Sequence, residues 1–240
     1  MSLHQISPNS QMAAEACAGY IFGLLDAAIA VQGRASLAIS GGSTPKLMFQ
    51  KMASTPFAWN HVHLFFVDER CVPPADSASN YRLANENLIA PAKIPAGNVH
   101  RMLGEIAPSE AAERYAADIR EFFGLFGGEM PQFDVVHRGM GPDAHTASLF
   151  PGDPLIDDRT GITAATFAKK FNQWRVTLLP GVLLAARNTV FLVAGEDKVE
   201  ALHAVFHEKF DPQKFPSQLG NDGESVAWFL DESAAKGLEA

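Results

Sequence analysis

Hydrophobic positions along the chain follow two periods. Over residues 11–31, Ala14, Ala18, Phe22, Leu25 and Ile29 recur at three- and four-residue spacing, which predicts an amphipathic helix ending near Gly33. Residues 35–39 are a short apolar run, broken by Ser40-Gly41-Gly42-Ser43-Thr44, with Pro45 placed where a first helical turn tolerates it. That reads as strand, loop, helix. The unit returns at 61–67, a β-rich run that stops at a charged loop, Asp68-Glu69-Arg70, before Ser79 caps a helix over 80–88. A helix over 111–126, a strand over 133–136 and a turn-rich loop over 139–142 make a third copy, with 145–150 read as a helix start. A helix over 180–186, a strand over 189–193, a loop over 194–197 and a helix over 198–208 make a fourth. After a polar, Pro/Gly-containing loop at 211–223, residues 226–230 read as a last strand. This alternation predicts an α/β fold, a mainly parallel sheet with helices on both faces. Ligands of such sheets sit beyond the carboxyl ends of the strands, where these loops converge.

Composition narrows the classes. A chain of 240 residues, 47% hydrophobic and 19% charged, is long enough for one large core, so residues 1–240 are expected to form one domain. The net charge of -8 offers no basic field for nucleic acid or anionic lipid, so an anionic ligand would need a local basic pocket. Cys17 and Cys71 imply no disulfide framework. No stretch is read as approaching the roughly 20 apolar residues of a membrane span, and the opening MSLHQISPNS lacks the marks of a signal peptide. The expected location is the cytoplasm.

Candidate chemistry lies in the loops. Gly41-Gly42-Ser43-Thr44-Pro45 permits close backbone approach, supplies hydroxyl donors and opens a helix, as a phosphate cradle does. An ordinary Gly-Ser turn with a cap accounts for it equally well. It is neither a GxxxxGK[ST] nor a GxGxxG loop, which argues against nucleotide binding. Asp68-Glu69-Arg70 offers a carboxylate for a hydroxyl or water and a guanidinium for phosphate, though an isolated charge run is more often only solvated. The run from Gly139 to Pro151 is more specific, because it sets Asp143 and His145 two residues apart in a ligand loop, where imidazole can act as general base and the carboxylate can fix its tautomer. His61 and His63 are read as sharing a strand face, with no third ligand at metal spacing. GxSxG is absent and neither cysteine has a catalytic setting, so water is the expected nucleophile, with neither metal nor cofactor.

Taken together, SGGSTP at 40–45, VDER at 67–70 with SNYR at 79–82, GMGPDAHTASLFPG at 139–152, and RVTLLP at 175–180 with VAGEDK at 193–198 resemble the 6-phosphogluconolactonase family. The resemblance implies the fold shared with glucosamine-6-phosphate deaminase and ribose-5-phosphate isomerase. It implies hydrolysis of 6-phospho-D-glucono-1,5-lactone, the second step of the oxidative pentose phosphate pathway. His145 would be the base that activates water, with Asp143 orienting it and Asp68 nearby. Gly42, Ser43 and Thr44 would cradle the phosphate, aided by Arg70, Arg175 and Lys198. The expected partner is a small phosphorylated sugar lactone, and the expected state a monomer or small homo-oligomer. Two positions depart from the family pattern. Ala144 stands where glycine is usual, which implies either a negative φ or a shifted His145. His137-Arg138 replaces an apolar pair, with Arg138 joining the anion site or reaching solvent.

Two other readings compete. An isomerase or deaminase would use the same cradle with Asp68 as a base aimed at a C–H bond. The deaminase acid after the histidine is missing here, where Leu149-Phe150-Pro151-Gly152 stands instead. A sugar-phosphate-sensing regulator would need a DNA-binding segment, and no helix-turn-helix or basic N-terminal region is found.

Overall fold

The computed structural model describes residues 3–221 and 223–238. The chain opens on a strand, β1 (Leu3–Ser7), which periodicity did not predict, before helix α1 (Ser10–Gln32). Asn9 caps α1 by accepting from the Met12 amide, and Gly33 ends it at φ 77°. Then follow β2 (Ala35–Ile39), α2 (Ser43–Ser54), β3 (Val62–Phe66), β4 (Asp68–Arg70) and α3 (Asn80–Ala84), which continues as a π turn over Asn85–Ile89. After β5 (Val99–His100) come α4 (Pro108–Phe123), β6 (Val135–Arg138), β7 (Thr163–Ala168) and β8 (Gln173–Leu178). The chain closes with α5 (Pro180–Ala185), β9 (Thr189–Val193), α6 (Val199–His207), β10 (Val226–Asp231) and α7 (Glu232–Ala235).

Seven strands form one parallel sheet in the order β1-β10-β9-β6-β2-β3-β5. Alternate residues of β9 and β10 enter different clusters. Val190, Leu192, Ala227 and Phe229 join the large core with Ala14, Cys17, Ala18 and Ile21 of α1. Phe191, Val193, Trp228 and Leu230 join a smaller one with Ala201, Leu202 and Val205 of α6. Helices therefore cover both faces, as the strands' apolar composition predicts. By length and mean hydropathy, 1.5 over 18 residues, α1 is apolar enough to cross a membrane, which corrects the sequence expectation. In the fold, its Ala13, Ala14, Cys17, Ala18, Ile21 and Leu25 are fully buried in the core.

A second sheet, antiparallel and ordered β4-β8-β7, was not foreseen. Val67 joins the two sheets: its amide donates to Ile39 of β2 and its carbonyl accepts from Leu178 of β8. Asp68-Glu69-Arg70 is thus strand, not a solvated loop, and Asp68 and Glu69 are buried. Chain progression in the parallel sheet reverses at β2, with β3 on one side and β6 on the other. The crevice between the carboxyl ends of β2 and β6 is the topological switch point where such sheets bind ligands.

Candidate active site

The loop leaving β2 carries the first part of the site. Helix α2 begins at Ser43 rather than at Pro45, with Gly42 as its cap at φ 131°, a conformation that side chains rarely adopt. A Cβ at Gly41 would lie 2.0 Å from Asn80 Oδ1, so that position also excludes a side chain. The unpaired amides of a twelve-residue helix point out of its N-terminus, where an anion is favoured.

The loop leaving β6 carries the second part. Residues 145–150 do not start a helix; they form tight turns closed by a bridge between Thr146 and Leu149. Ala144 sits at φ 60° and Ala147 at φ 52°, so the first alternative for Ala144, a negative φ, is wrong. The left-handed turn points the His145 ring at Asp143: Nδ1 lies 2.5 Å from Asp143 Oδ1. An ionised carboxylate only accepts, so Nδ1 carries the proton and Nε2 is the basic nitrogen. Burial works against the Asp143 carboxylate, but the hydrogen bond and charge of His145 and the bond from Lys170 outweigh it, holding its pKa well below the usual range. Phe150 packs on the imidazole, ring centroids 4.5 Å apart.

The second sheet carries the third part. Asp68, 5% exposed, accepts from Ser148 Oγ at 2.7 Å and lies 3.8 Å from Arg175. Arg175 is buried with its guanidinium 4.9 Å from the Phe171 ring, and desolvation lowers its pKa despite the nearby Asp68. Glu69 faces away from the crevice, its carboxylate taking the amides of Asn80 and Tyr81 at 2.7 Å and so fixing the start of α3. Arg70 bonds the Ala78 carbonyl. The β7–β8 hairpin tip brings Lys170 within 2.9 Å of Asp143 Oδ2, completing a Lys170–Asp143–His145 chain.

One cavity of about 280 Å³ is lined by Gly42, Ser43, Thr44, Asp68, Arg70, His145, Arg175 and Lys198. The residues that the resemblance assigned to catalysis and phosphate binding all line this cavity, except Asp143, which stands behind His145. Lys198 reaches it from the β9 loop while pairing with Asp197 at 2.8 Å. Sequence reasoning missed Ser148, Lys170, Phe171 and the cavity face of Asn80. The one local signal was Asn172, a residue tolerant of the left-handed turn it adopts at φ 48°. Arg138 neither joins the cavity nor reaches solvent: it is fully buried. His61 lies outside the strand in a 3-10 turn, and His63 bonds His100 instead. Among the described residues, no three His, Cys, Asp or Glu side chains are grouped to hold a metal ion.

Residues 8–228 match the family model described as glucosamine-6-phosphate isomerases/6-phosphogluconolactonase. The 6-phosphogluconolactonase of Synechocystis sp. is 36% identical over 212 residues, 88% of each chain. The human 6-phosphogluconolactonase is 34% identical over 85% of this chain and 81% of its own. The solved 6-phosphogluconolactonase of Trypanosoma cruzi superposes with a TM-score of 0.88 at 25% identity, covering 100% of this chain and 98% of the other. The chain belongs to the glucosamine-6-phosphate isomerase/6-phosphogluconolactonase family.

Proposed function

We propose that the chain hydrolyses 6-phospho-D-glucono-1,5-lactone to 6-phosphogluconate with water as nucleophile, in the cytoplasm and as a step of the oxidative pentose phosphate pathway. The observation that carries this reading is the His145–Asp143 pair, whose ring borders the same cavity as the anion cradle. Gly42, Ser43 and Thr44 at the α2 N-terminus, with Arg70, Arg175 and Lys198, hold the phosphate on an otherwise acidic protein. His145 Nε2 takes a proton from water as its oxygen bonds to the lactone carbonyl carbon. The tetrahedral oxyanion then collapses, the bond from that carbon to the ring oxygen breaks, and the imidazolium returns the proton to the leaving alkoxide. Asp68, bound by Ser148 and near Arg175, holds a water or sugar hydroxyl rather than attacking a C–H bond. No acid follows His145 at 149–152 to assist ring opening, which favours lactone hydrolysis over deamination.

The test is a direct assay of freshly made 6-phosphogluconolactone beside glucosamine 6-phosphate and a pentose phosphate isomerase substrate. Lactone hydrolysis above the spontaneous rate, undiminished by EDTA, is expected. Turnover of either other substrate with no effect on the lactone would overturn the proposal.

A further inference from the structure

Arg138, at the end of β6, is fully buried, and no carboxylate among the described residues lies within ion-pairing distance. A buried charge without a counterion is unfavourable unless its donors are well met. Here Nε donates to Thr146 Oγ1 at 3.1 Å and Nη1 to the Leu219 carbonyl at 2.6 Å, while the buried Nη2 meets no hydrogen-bond partner among the described residues. The guanidinium carbon lies 4.6 Å from the centroid of Phe191, which stacks on Trp228 at 3.8 Å. Each acceptor belongs to a segment that holds the His145 turn. Thr146 Oγ1 donates onward to the Gly139 carbonyl at 3.0 Å. Two residues before Leu219, the Ser217 amide donates to the Ala144 carbonyl at 2.9 Å and its hydroxyl to the His145 carbonyl at 3.3 Å. The turn so clamped includes Ala144 at φ 60°, a left-handed conformation that a Cβ disfavours and that persists only when its surroundings impose it.

We propose that Arg138 is a positioning residue for the reaction, a buried guanidinium that ties the 139–149 loop to the 216–220 segment and thereby holds His145 in its catalytic orientation. The inference rests on the lactonase reading for its kinetic consequence and on the structure alone for its effect on the loop. It also explains how a charged residue is tolerated where the family resemblance leads one to expect an apolar one: the charge secures a turn whose alanine lacks the freedom of glycine.

Arg138→Met removes the buried charge and keeps an apolar stem, a change that need not destabilise the fold. Amide hydrogen exchange should quicken over 139–149 and 216–220 while the β2, β9 and β10 amides stay protected. On the lactone, kcat should fall about tenfold with KM within about twofold, the signature of misplaced machinery rather than lost binding. Added guanidinium, below denaturing concentration, should restore part of kcat. Unchanged loop exchange, or a loosened loop with full kcat, overturns the proposal. So does exchange that quickens throughout the sheet with activity falling only as the folded fraction falls. If Arg138→Met does not fold, Thr146→Val decides, since it deletes one acceptor and keeps the charge: unaltered exchange and kcat there are equally fatal. Should the wild type fail to hydrolyse the lactone, the lactonase reading falls, and the exchange measurement still judges whether Arg138 holds the loop.

Discussion

At the scale of single residues, the site divides charge by burial. Asp68 and Arg175 are almost wholly buried, while Asp143 and His145 keep 28% and 18% of their side chains exposed at the mouth. A base that must meet both the attacking water and the lactone needs that access. His145→Ala should therefore fold normally, retain binding of 6-phosphogluconate and lose roughly 10² to 10⁴-fold in kcat, the usual worth of general-base assistance. Binding is read by calorimetry and turnover by an assay fast enough to outrun spontaneous hydrolysis. Full kcat in the variant would remove His145 from the mechanism and promote Asp68. Ala144 shows the opposite economy: its Cβ fills the smaller core at 1% exposure while its backbone bears a left-handed turn.

At the scale of elements, the β7–β8 hairpin matters most, because its tip reaches across to the parallel sheet's catalytic loop. Lys170 is half exposed, so its pair with Asp143 is screened by water and weak, and much of its value is in orientation. Lys170→Met should lower kcat a few-fold, on the order of 1 kcal/mol or less, and raising salt should bring the wild type toward the variant. Salt-independent rates in both proteins, or an unchanged kcat in the variant, would exclude Lys170 from the catalytic chain. The hairpin was also the element least legible in the sequence. β2 and β9 could be read to the residue because they are five-residue apolar runs buried on both faces and bounded by turn formers. In β7, Thr163-Ala164-Ala165-Thr166 has too little hydrophobic contrast for a period-two signal, and β1 is mostly exposed and half polar. The turn after Ala144 was misread as a helix start because alanine carries no left-handed preference. Gly42, Ser43, Thr44, Asp68 and His145 were legible because they lie in polar runs that interrupt apolar strands, and Arg175 and Lys198 only through the resemblance, whereas Ser148 and Lys170 enter the site through pairing with Asp68 and Asp143 across long stretches of chain.

At the scale of the whole molecule, the buried histidine beneath the site sets how the fold responds to acid. His137 is completely buried, its Nδ1 accepting a long bond of 3.4 Å from the Ser40 amide and its Nε2 lacking a partner among the described residues. Desolvation lowers its pKa to about 3 from an ordinary value of 6.5. Between those values the unfolded chain binds a proton that the folded chain refuses. The stability that neutral His137 permits is therefore complete above pH 6.5 and is lost as pH falls below it, at about 1.4 kcal/mol per pH unit. His63, also lowered by burial and by neighbouring His100, acts in the same direction. Glu69 acts in the opposite one, because burial raises its pKa against the pull of its amide donors and protonation relieves it. Asp143, held low, loses its contribution only below the ordinary aspartate pKa of about 3.9. Full protonation of His137 alone would cost about 5 kcal/mol, comparable to the entire stability of many domains, so acid unfolding should precede its titration within the fold. Melting temperatures measured from pH 7.5 to 4.5 should fall steeply below pH 6.5 in the wild type and markedly less in His137→Leu, which leaves no imidazole to charge in the unfolded chain. Equal slopes in the two proteins would mean that His137 is solvated in the folded state, and the acid response would then have to come from the partly exposed histidines.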